Sequence, residues 1–450
     1  MLFERIVSDG ISHFSYLLAD DSNALVIDPR TDVGIYLEIA KKNHLQISNI
    51  LETHRHEDFL CGSTILAKKT GAEIWHADSQ WDYGYGFPVS DKQVWNIGKL
   101  KLESILTPGH TPGTMSYLLY DEHGAPWCVF SGDTLFSGEV GRVDLMGDDK
   151  AEEMASLLYD SLFSKLLLLG DQIIVCPAHG AGSVCGQNIS DRLWTTIGLE
   201  RLHNPALQLP NKASFIKTIA HNQEKPPYFK KMEELNVSGQ IPEFSIPVPY
   251  PSQEFKDLTG DSLIIDTRDI QCFTTSHIPN SISIWAQGVP SYAGWFLPYD
   301  ISLLCVGNNS QISSTFTDLF RLGYQVKGYL SEDFIYWHKE GLAVNSISTI
   351  TAEELKNQLD SSKSNWILDV RTTHELTSEG GILGAHHIPL TELQPKIDTI
   401  PVDRNIYIIC GSGQRSTIAA SLLLQQGPYK PVVILGGFSS WKSLKYPVEY

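Results

Sequence analysis

The segment Thr53-His54-Arg55-His56-Glu57-Asp58-Phe59 constrains this 450-residue chain more than any other. It follows the apolar pair Ile50-Leu51, which reads as the end of a strand, and it packs two imidazoles and a carboxylate into five residues. In an extended segment alternate side chains point the same way, so His54, His56 and Asp58 are expected to face one cavity. Neutral imidazole and carboxylate are the usual ligands of a divalent transition metal. This stretch reads as half of a metal site.

Three later segments each place one further ligand candidate after an apolar run. Leu106-Thr107-Pro108-Gly109-His110-Thr111-Pro112-Gly113 is a turn-rich loop presenting His110. Trp127-Cys128-Val129-Phe130-Ser131-Gly132-Asp133 ends on Asp133, and Ile173-Ile174-Val175-Cys176-Pro177-Ala178-His179-Gly180 leads to His179. Any one of these could be a turn or a helix cap. Their recurrence after strand ends points to ligands gathered by loops. Between them, Ser15–Leu18 and Ala24–Asp28 read as a strand pair turning at 20–23. Val33–Asn43 and Ser63–Lys69 have helical spacing, and Glu73–His76 and Leu100–Ile105 alternate like strands.

A formal net charge of −18 argues against a nucleic-acid or anionic-membrane surface. No apolar run approaches the ~18 residues of a membrane helix. The N-terminus carries Glu4 and no apolar h-region, so no signal peptide is expected. Seven scattered cysteines do not read as a disulfide framework. A cytoplasmic chain with reduced thiols is expected, and its length suggests about three domains.

His54-x-His56-x-Asp58, His110, Asp133 and His179, in that order, resemble the metal motifs of the metallo-β-lactamase fold. The resemblance covers residues 1–245 and implies an αββα sandwich with ligands on loops at one edge of two sheets. Members similar to this pattern include dinuclear hydrolases such as glyoxalase II and mononuclear iron persulfide dioxygenases. The hydrolases carry His directly after the motif Asp, completing a second metal site; here that residue is Phe59. A phenyl ring cannot ligate, so one metal held by His54, His110 and Asp133 is expected. A two-His, one-carboxylate set with open positions suits Fe(II) and O₂. The expected cofactor is Fe(II), one per chain, with zinc as an alternative occupant of purified protein. His56 is then a fourth ligand or a group behind the ligands. A second site would retain only Asp58, His179 and a shared Asp133, so Asp58 is expected behind the ligands or as a further ligand, and His179 is expected to hydrogen-bond near metal or substrate. Gly141-Arg142-Val143-Asp144 resembles a further family segment. Arg142 either organises its loop through Asp144 or neutralises an acidic thiol substrate. Cys185, within His179–Gly186, resembles a position of the rhodanese-fused members and is expected near the active site.

Proline-punctuated residues 191–253 read as a helical extension, with helices around Phe215–His221 and Phe229–Leu235, followed by a linker. The remainder holds an internal repeat spaced by 103 to 110 residues. Leu263–Arg268 matches Trp366–Arg371, His277-Ile278-Pro279 matches His387-Ile388-Pro389, and Ile301–Cys305 matches Ile406–Cys410. Gly328-Tyr329-Leu330 through Trp337 matches Gly436-Gly437-Phe438 through Trp441. Each copy reads as a parallel-sheet α/β unit, one over 252–345 and one over 350–450. In the second copy Cys410-Gly411-Ser412-Gly413-Gln414-Arg415 lies between a strand and a helix. Its glycines let the backbone N–H groups converge on the sulfur at a helix N-terminus, and Arg415 adds a cation. This resembles the rhodanese loop, which implies that Cys410 accepts sulfane sulfur. In the first copy Ser310 takes the place of Arg415, so Cys305 is not expected to be catalytic.

The whole chain thus resembles persulfide dioxygenase–rhodanese fusions: α/β multidomain, a metallo-β-lactamase sandwich followed by two rhodanese domains, the first degenerate. The resemblance implies oxidation of a low-molecular-weight thiol persulfide (glutathione, coenzyme A or bacillithiol type) by O₂ to sulfite. Cys410 then passes sulfur to sulfite, giving thiosulfate, in a homo-oligomer. The alternatives are a dinuclear thioester hydrolase of the glyoxalase II type and a non-catalytic sulfane-sulfur carrier.

Overall fold

A computed structural model describes residues 1–186, 188–361 and 365–450. They form two compact units: Met1–Phe244 with Phe320–Gly323, and Ser245–Leu319 with Tyr324–Tyr450.

The first unit holds two six-stranded sheets. One runs β1 (Leu2–Ser8), β2 (His13–Asp20), β3 (Asn23–Ile27), β4 (Gln46–Leu51), β5 (Glu73–His76), β6 (Phe87–Pro88) in chain order. The other contains β7 (Val94–Ile97), β8 (Leu100–Leu106), β9 (Met115–Tyr120), β10 (Pro126–Gly132), β11 (Ile174–Pro177) and β12 (Thr195–Thr196), again neighbours in order. β2 and β3 pair antiparallel from Tyr16↔Ile27 to Asp20↔Asn23, the turn expected at 20–23.

Strand alternation sorts the side chains into layers. Tyr16, Leu18, Leu25, Ile27 and Leu51 of the first sheet meet Leu102, Tyr117, Leu119, Phe130 and Cys176 of the second in a shared core. On the outer side, Leu17, Val26 and Ile50 pack on Tyr36 and Ala40 of helix Gly34–Lys42 and on Leu66 of helix Ser63–Thr70. Leu118, Val129 and Val175 meet Met154, Leu158 and Leu162 of helix Ala151–Ser164 and Phe215 of helix Lys212–Ile219. The result is the αββα sandwich. Covering both faces explains why β3, β9 and β10 are buried along nearly their whole length. Each fully buried large apolar side chain contributes about 1.5–3 kcal/mol, so the strand ends are rigid mounts for the loops that leave them.

The second unit holds two five-stranded sheets of identical order. The first contains β13 (Val248–Tyr250), β14 (Ser262–Asp266), β15 (Ile282–Ser283), β16 (Ser302–Val306) and β17 (Val326–Leu330), arranged β13-β17-β16-β14-β15. The second contains β18 (Ser348–Ile350), β19 (Trp366–Asp369), β20 (His386–His387), β21 (Asn405–Ile409) and β22 (Lys430–Ile434), arranged β18-β22-β21-β19-β20. All pairs are parallel, as the buried strands alternating with helices predict.

The repeat is structural, but its register corrects the sequence alignment. Arg268 grips Asp266 and the Ser276 carbonyl, and Arg371 grips Asp369 and the Gly380 carbonyl, each through the same set of nitrogens. Phe334 lies 3.8 Å from the Arg268 guanidinium and Phe438 lies 3.7 Å from that of Arg371. Asp266 pairs with Val306 where Asp369 pairs with Ile409. Gly307, not Cys305, therefore stands at the place of Cys410. At the same offset Ile312, not Ser310, takes the place of Arg415. His277 exchanges backbone hydrogen bonds with Asn345 as Gly381 does with Glu449, so His277 corresponds to Gly381 and not to His387. The strand partners of Gly328 match it to Val432, so it is not the counterpart of Gly436. The Trp337–Trp441 match stands: each indole donates to a carbonyl six residues on, that of Ala343 or Pro447.

Candidate metal centre and sulfur loop

Four loops leave the ends of β4, β8, β10 and β11 and bring His54, Glu57, Asp58, His110, Asp133, His179 and Cys185 together, all fully buried. Two aspartates hold the loops. Asp28 accepts from the Thr53 amide at 2.7 Å and the Thr53 hydroxyl at 2.8 Å. Asp78 accepts from the amides of Arg55 and Gly113 and from the hydroxyl of Thr111.

Because the Thr53 hydroxyl donates to Asp28, it accepts from Nδ1 of His54 at 2.9 Å. His110 Nδ1 donates to the Arg142 carbonyl at 2.9 Å. Both rings therefore turn Nε2 inward, the orientation a metal requires, while burial of His110 is outweighed by Glu57 and then Asp133, which push its imidazole up to about 9. Asp133 Oδ2 lies 3.4 Å from His110 Nε2 and 3.8 Å from His54 Nε2. His179 holds that carboxylate, with Nδ1 2.8 Å from Asp133 Oδ1 and Nε2 2.9 Å from Asp58 Oδ2. His54 Nε2, Glu57 Oε2 and Asp58 Oδ1 are buried without a hydrogen-bond partner. Such a group of orphaned donors to a cation fits a metal. Burial, then the neighbouring His56, hold His54 well below the usual imidazole range and keep it neutral. Burial also opposes charge on His179, but Asp133 and Asp58 outweigh it and push that imidazole well up.

His56 does not join this group. β4 ends at Leu51, and residues 52–59 form an irregular loop, so strand alternation does not govern them. His56 turns its Nε2 to Asp28 Oδ1 at 3.0 Å, and its ring lies 4.6 Å from that of Phe59. Glu57 turns inward instead, with Oε1 3.2 Å from His110 Nε2. Sequence reading missed Glu57 because it occupies an odd position of a motif read with period two. Asp28 and Asp78 carried no motif signal at all.

Arg142 spends its guanidinium on Asp144, at 2.8 Å from both Nε and Nη2, and on the carbonyls of Val184, Gln223 and Glu224. Of its two expected roles this geometry suits the loop-organising one. The adjacent Gly141 is required by close approach: a Cβ there would lie 1.9 Å from the Asp133 carbonyl oxygen. Cys185 Sγ lies 3.7 Å from Glu57 Oε1, and its ligand atom is within 4.8 Å of those of both His110 and Asp133, as well as of Asp58 and His179. Burial, then Asp58, push its thiol well up.

In the second unit Cys410 follows β21, and the loop curls so that the Gly413 N–H donates to its sulfur at 3.0 Å. Gly413 has φ 104°, and helix Gln414–Gln426 begins directly after it. Gly411 and Ser412 complete the curl, and the Ser412 hydroxyl faces Gln414 Oε1 at 3.4 Å. The amides of Phe438 and Ser439 hold the carbonyls of Cys410 and Gly411. Arg415 is clamped by Glu375 through two contacts of 2.6 and 2.5 Å. Cys305 lies inside β16, where burial, then Asp266, push its thiol up to about 12.

A four-layer sandwich with a buried His/Asp/Glu cluster at one sheet edge, followed by parallel sheets bearing a cysteine loop, defines a metal-binding class with an appended cysteine-loop domain. The Metallo-beta-lactamase superfamily model matches residues 8–179, and the Rhodanese-like domain model matches residues 351–444. The chain is similar to hydroxyacylglutathione hydrolase GloC of Haemophilus influenzae, with 27% identity over 214 residues, 43% of this chain and 91% of that protein. It is similar to the probable metallo-hydrolase YqgX of Bacillus subtilis, with 30% identity over 200 residues, 40% of this chain and 90% of that protein. A metallo-beta-lactamase structure from Staphylococcus aureus subsp. aureus COL matches with TM-score 0.67 and 30% identity, over 73% of this chain and 98% of that one. The chain belongs to the metallo-β-lactamase superfamily and carries a rhodanese-like domain toward its C-terminus. Among the described residues no helix is long and apolar enough to cross a membrane.

Proposed function

We propose that this protein is a persulfide dioxygenase whose product is taken on by a rhodanese sulfurtransferase. The observation that carries the reading is Phe59. Its fully buried ring fills the place next to Asp58 and packs 4.0 Å from the His13 ring, while His56 is drawn off to Asp28. This leaves His54, His110 and Asp133 as the ligand set for a single ion. Fe(II) held by such a set would supply the redox chemistry by which O₂ takes electrons from a terminal sulfur.

The chain's own groups do the rest. His54 and His110 present Nε2 because Thr53 and the Arg142 carbonyl fix their tautomers. His179 orients Asp133, and Arg142 with Asp144 holds the loop around them. The net reaction is RSSH + O₂ + H₂O giving RSH and sulfurous acid, with R a glutathione, coenzyme A or bacillithiol type carrier. At the second site the Cys410 thiolate takes the outer sulfur of another persulfide, releasing RSH, with the Gly413 N–H directed at the sulfur. Sulfite then removes that sulfur as thiosulfate and regenerates the thiolate, so a covalent carrier divides one transfer into two. The middle sheet is read as a degenerate rhodanese, since Gly307 and Ile312 replace its thiol and cation. A homo-oligomer is part of the same proposal.

The test is O₂ uptake by anaerobically iron-loaded protein given a thiol persulfide, with sulfite and thiosulfate quantified. Uptake that yields thiosulfate, shifting to sulfite in Cys410→Ser, supports both sites and their order. No uptake with iron verified at one per chain overturns the dioxygenase reading.

A second reading has its own observation. The ligand atoms of Asp58, His179 and Cys185 lie within 4.8 Å of one another, and a second ion held there would suit a thioester hydrolase. Two zincs per chain with thioester turnover would establish that alternative.

A further inference from the structure

Glu57 is the one carboxylate of the motif to which neither reading gives a role. It is fully buried, its Oε1 lies 3.2 Å from His110 Nε2, and its Oε2 has no hydrogen-bond partner. His110 has committed Nδ1 to the Arg142 carbonyl, so Nε2 is the atom that faces Glu57. At that distance a protonated imidazole pairs with the carboxylate, and a cation shared by the two takes the place of the proton.

The spacing suits a metal. Bonds of about 2.0–2.2 Å diverging by roughly 90–109° place ligand atoms about 3.0–3.5 Å apart. Glu57 meets His110 at 3.2 Å and Asp133 meets it at 3.4 Å. The ligand atoms of His54, Glu57 and His110 all fall within 4.8 Å of one another. We propose that Glu57 is a fourth protein ligand, so that the ion is held by two imidazoles and two carboxylates. Six-coordination then leaves two positions for reactants instead of three. Two carboxylates also balance the charge of a divalent ion in a water-poor site, where an uncompensated charge is costly. The proposal rests on the single-ion reading of this centre and is independent of the reaction that ion performs.

The experiment is anaerobic titration of the full-length, metal-free protein with Co(II), recording the visible ligand-field bands and competing with a chelator of known affinity. Loss of a group that merely supports a ligand costs 10–100-fold in metal affinity. Glu57→Gln, which keeps the shape and removes the charge, is expected to cost more than about 100-fold and to shift the bands, as Asp133→Asn should. Glu57→Gln protein that binds one Co(II) with wild-type affinity and an unchanged spectrum overturns the proposal. A crystal structure of zinc-loaded wild type tests the same point without a variant. A Glu57 oxygen at about 2.0–2.2 Å from the ion supports the assignment, and one left outside bonding distance overturns it. Absence of O₂ uptake would overturn the dioxygenase and leave this result standing.

Discussion

At the scale of single residues, the proposed single-ion reading turns on Phe59. It stands beside Asp58, and His179 Nε2 already reaches Asp58 at 2.9 Å. Phe59→His would add an imidazole to that pair. The expected outcome is a rise from one zinc per chain to two by elemental analysis; a content that stays at one would show that Phe59 is not what excludes the second ion. Glu375 gives a pH prediction. Burial raises its carboxyl, but the hydrogen bonds from Arg415 and then the Thr372 amide outweigh this and hold it at about 2. A depressed carboxyl contributes stability above its unfolded value, 4.5, and loses it as pH falls toward about 2. Glu375 is 26% exposed, so screening limits the pair to about 1 kcal/mol. Glu375→Gln should melt a few degrees below wild type at pH 7, with the gap closing as pH falls below about 4.5. A gap that is constant with pH would rule out the charge as its source.

At the scale of elements, loops borrow their shape from the strand and helix ends that flank them. Helix Gly437–Ser443 turns its first amides onto the Cys410 and Gly411 carbonyls, and Gly437 makes this approach at φ 54°. A Cβ on Gly437 would lie 2.2 Å from the Cys410 carbonyl oxygen. Gly437→Ala adds about 1–2 kcal/mol of backbone strain and forces the loop to shift. Sulfur transfer should fall about tenfold or more, since a misplacement of about 1 Å can cost 10²-fold, while metal content is unchanged. Full transfer activity in Gly437→Ala would show that the loop holds its shape without this contact.

At the scale of the whole molecule, the two centres belong to different compact units of one chain. Under the proposed function, joining them would raise the concentration of sulfite available to Cys410, by the effective-concentration argument. The activities should nevertheless separate by mutation. Cys410→Ser is expected to keep wild-type O₂ uptake while losing thiosulfate formation. His110→Ala is expected to lose metal and O₂ uptake while still moving sulfur from thiosulfate to cyanide. Loss of both activities in either variant would contradict independent centres.

Sequence by itself determined the alternation of strands and helices, the parallel sheets of the repeat and the glycine-curled loop at Cys410, which depend on apolar runs, turn residues and local spacing written along the chain. The αββα sandwich followed from the resemblance of the metal motifs. Sequence also singled out the His and Asp residues that meet at the metal centre, because each lies in a loop after a strand end, while Cys185 came from the resemblance and Glu57 was missed. Tertiary structure alone decided which way they face. His56 and Glu57 exchanged the roles that alternation assigns, because the chain leaves the sheet at Leu51 and Asp28, distant in sequence, captures His56. The same holds for the repeat. Identical letters aligned Cys305 with Cys410 and His277 with His387, whereas the hydrogen-bonded register matches Gly307 to Cys410 and His277 to Gly381. Local pattern specifies elements; the direction of a side chain in an irregular loop depends on partners that only the folded chain brings near.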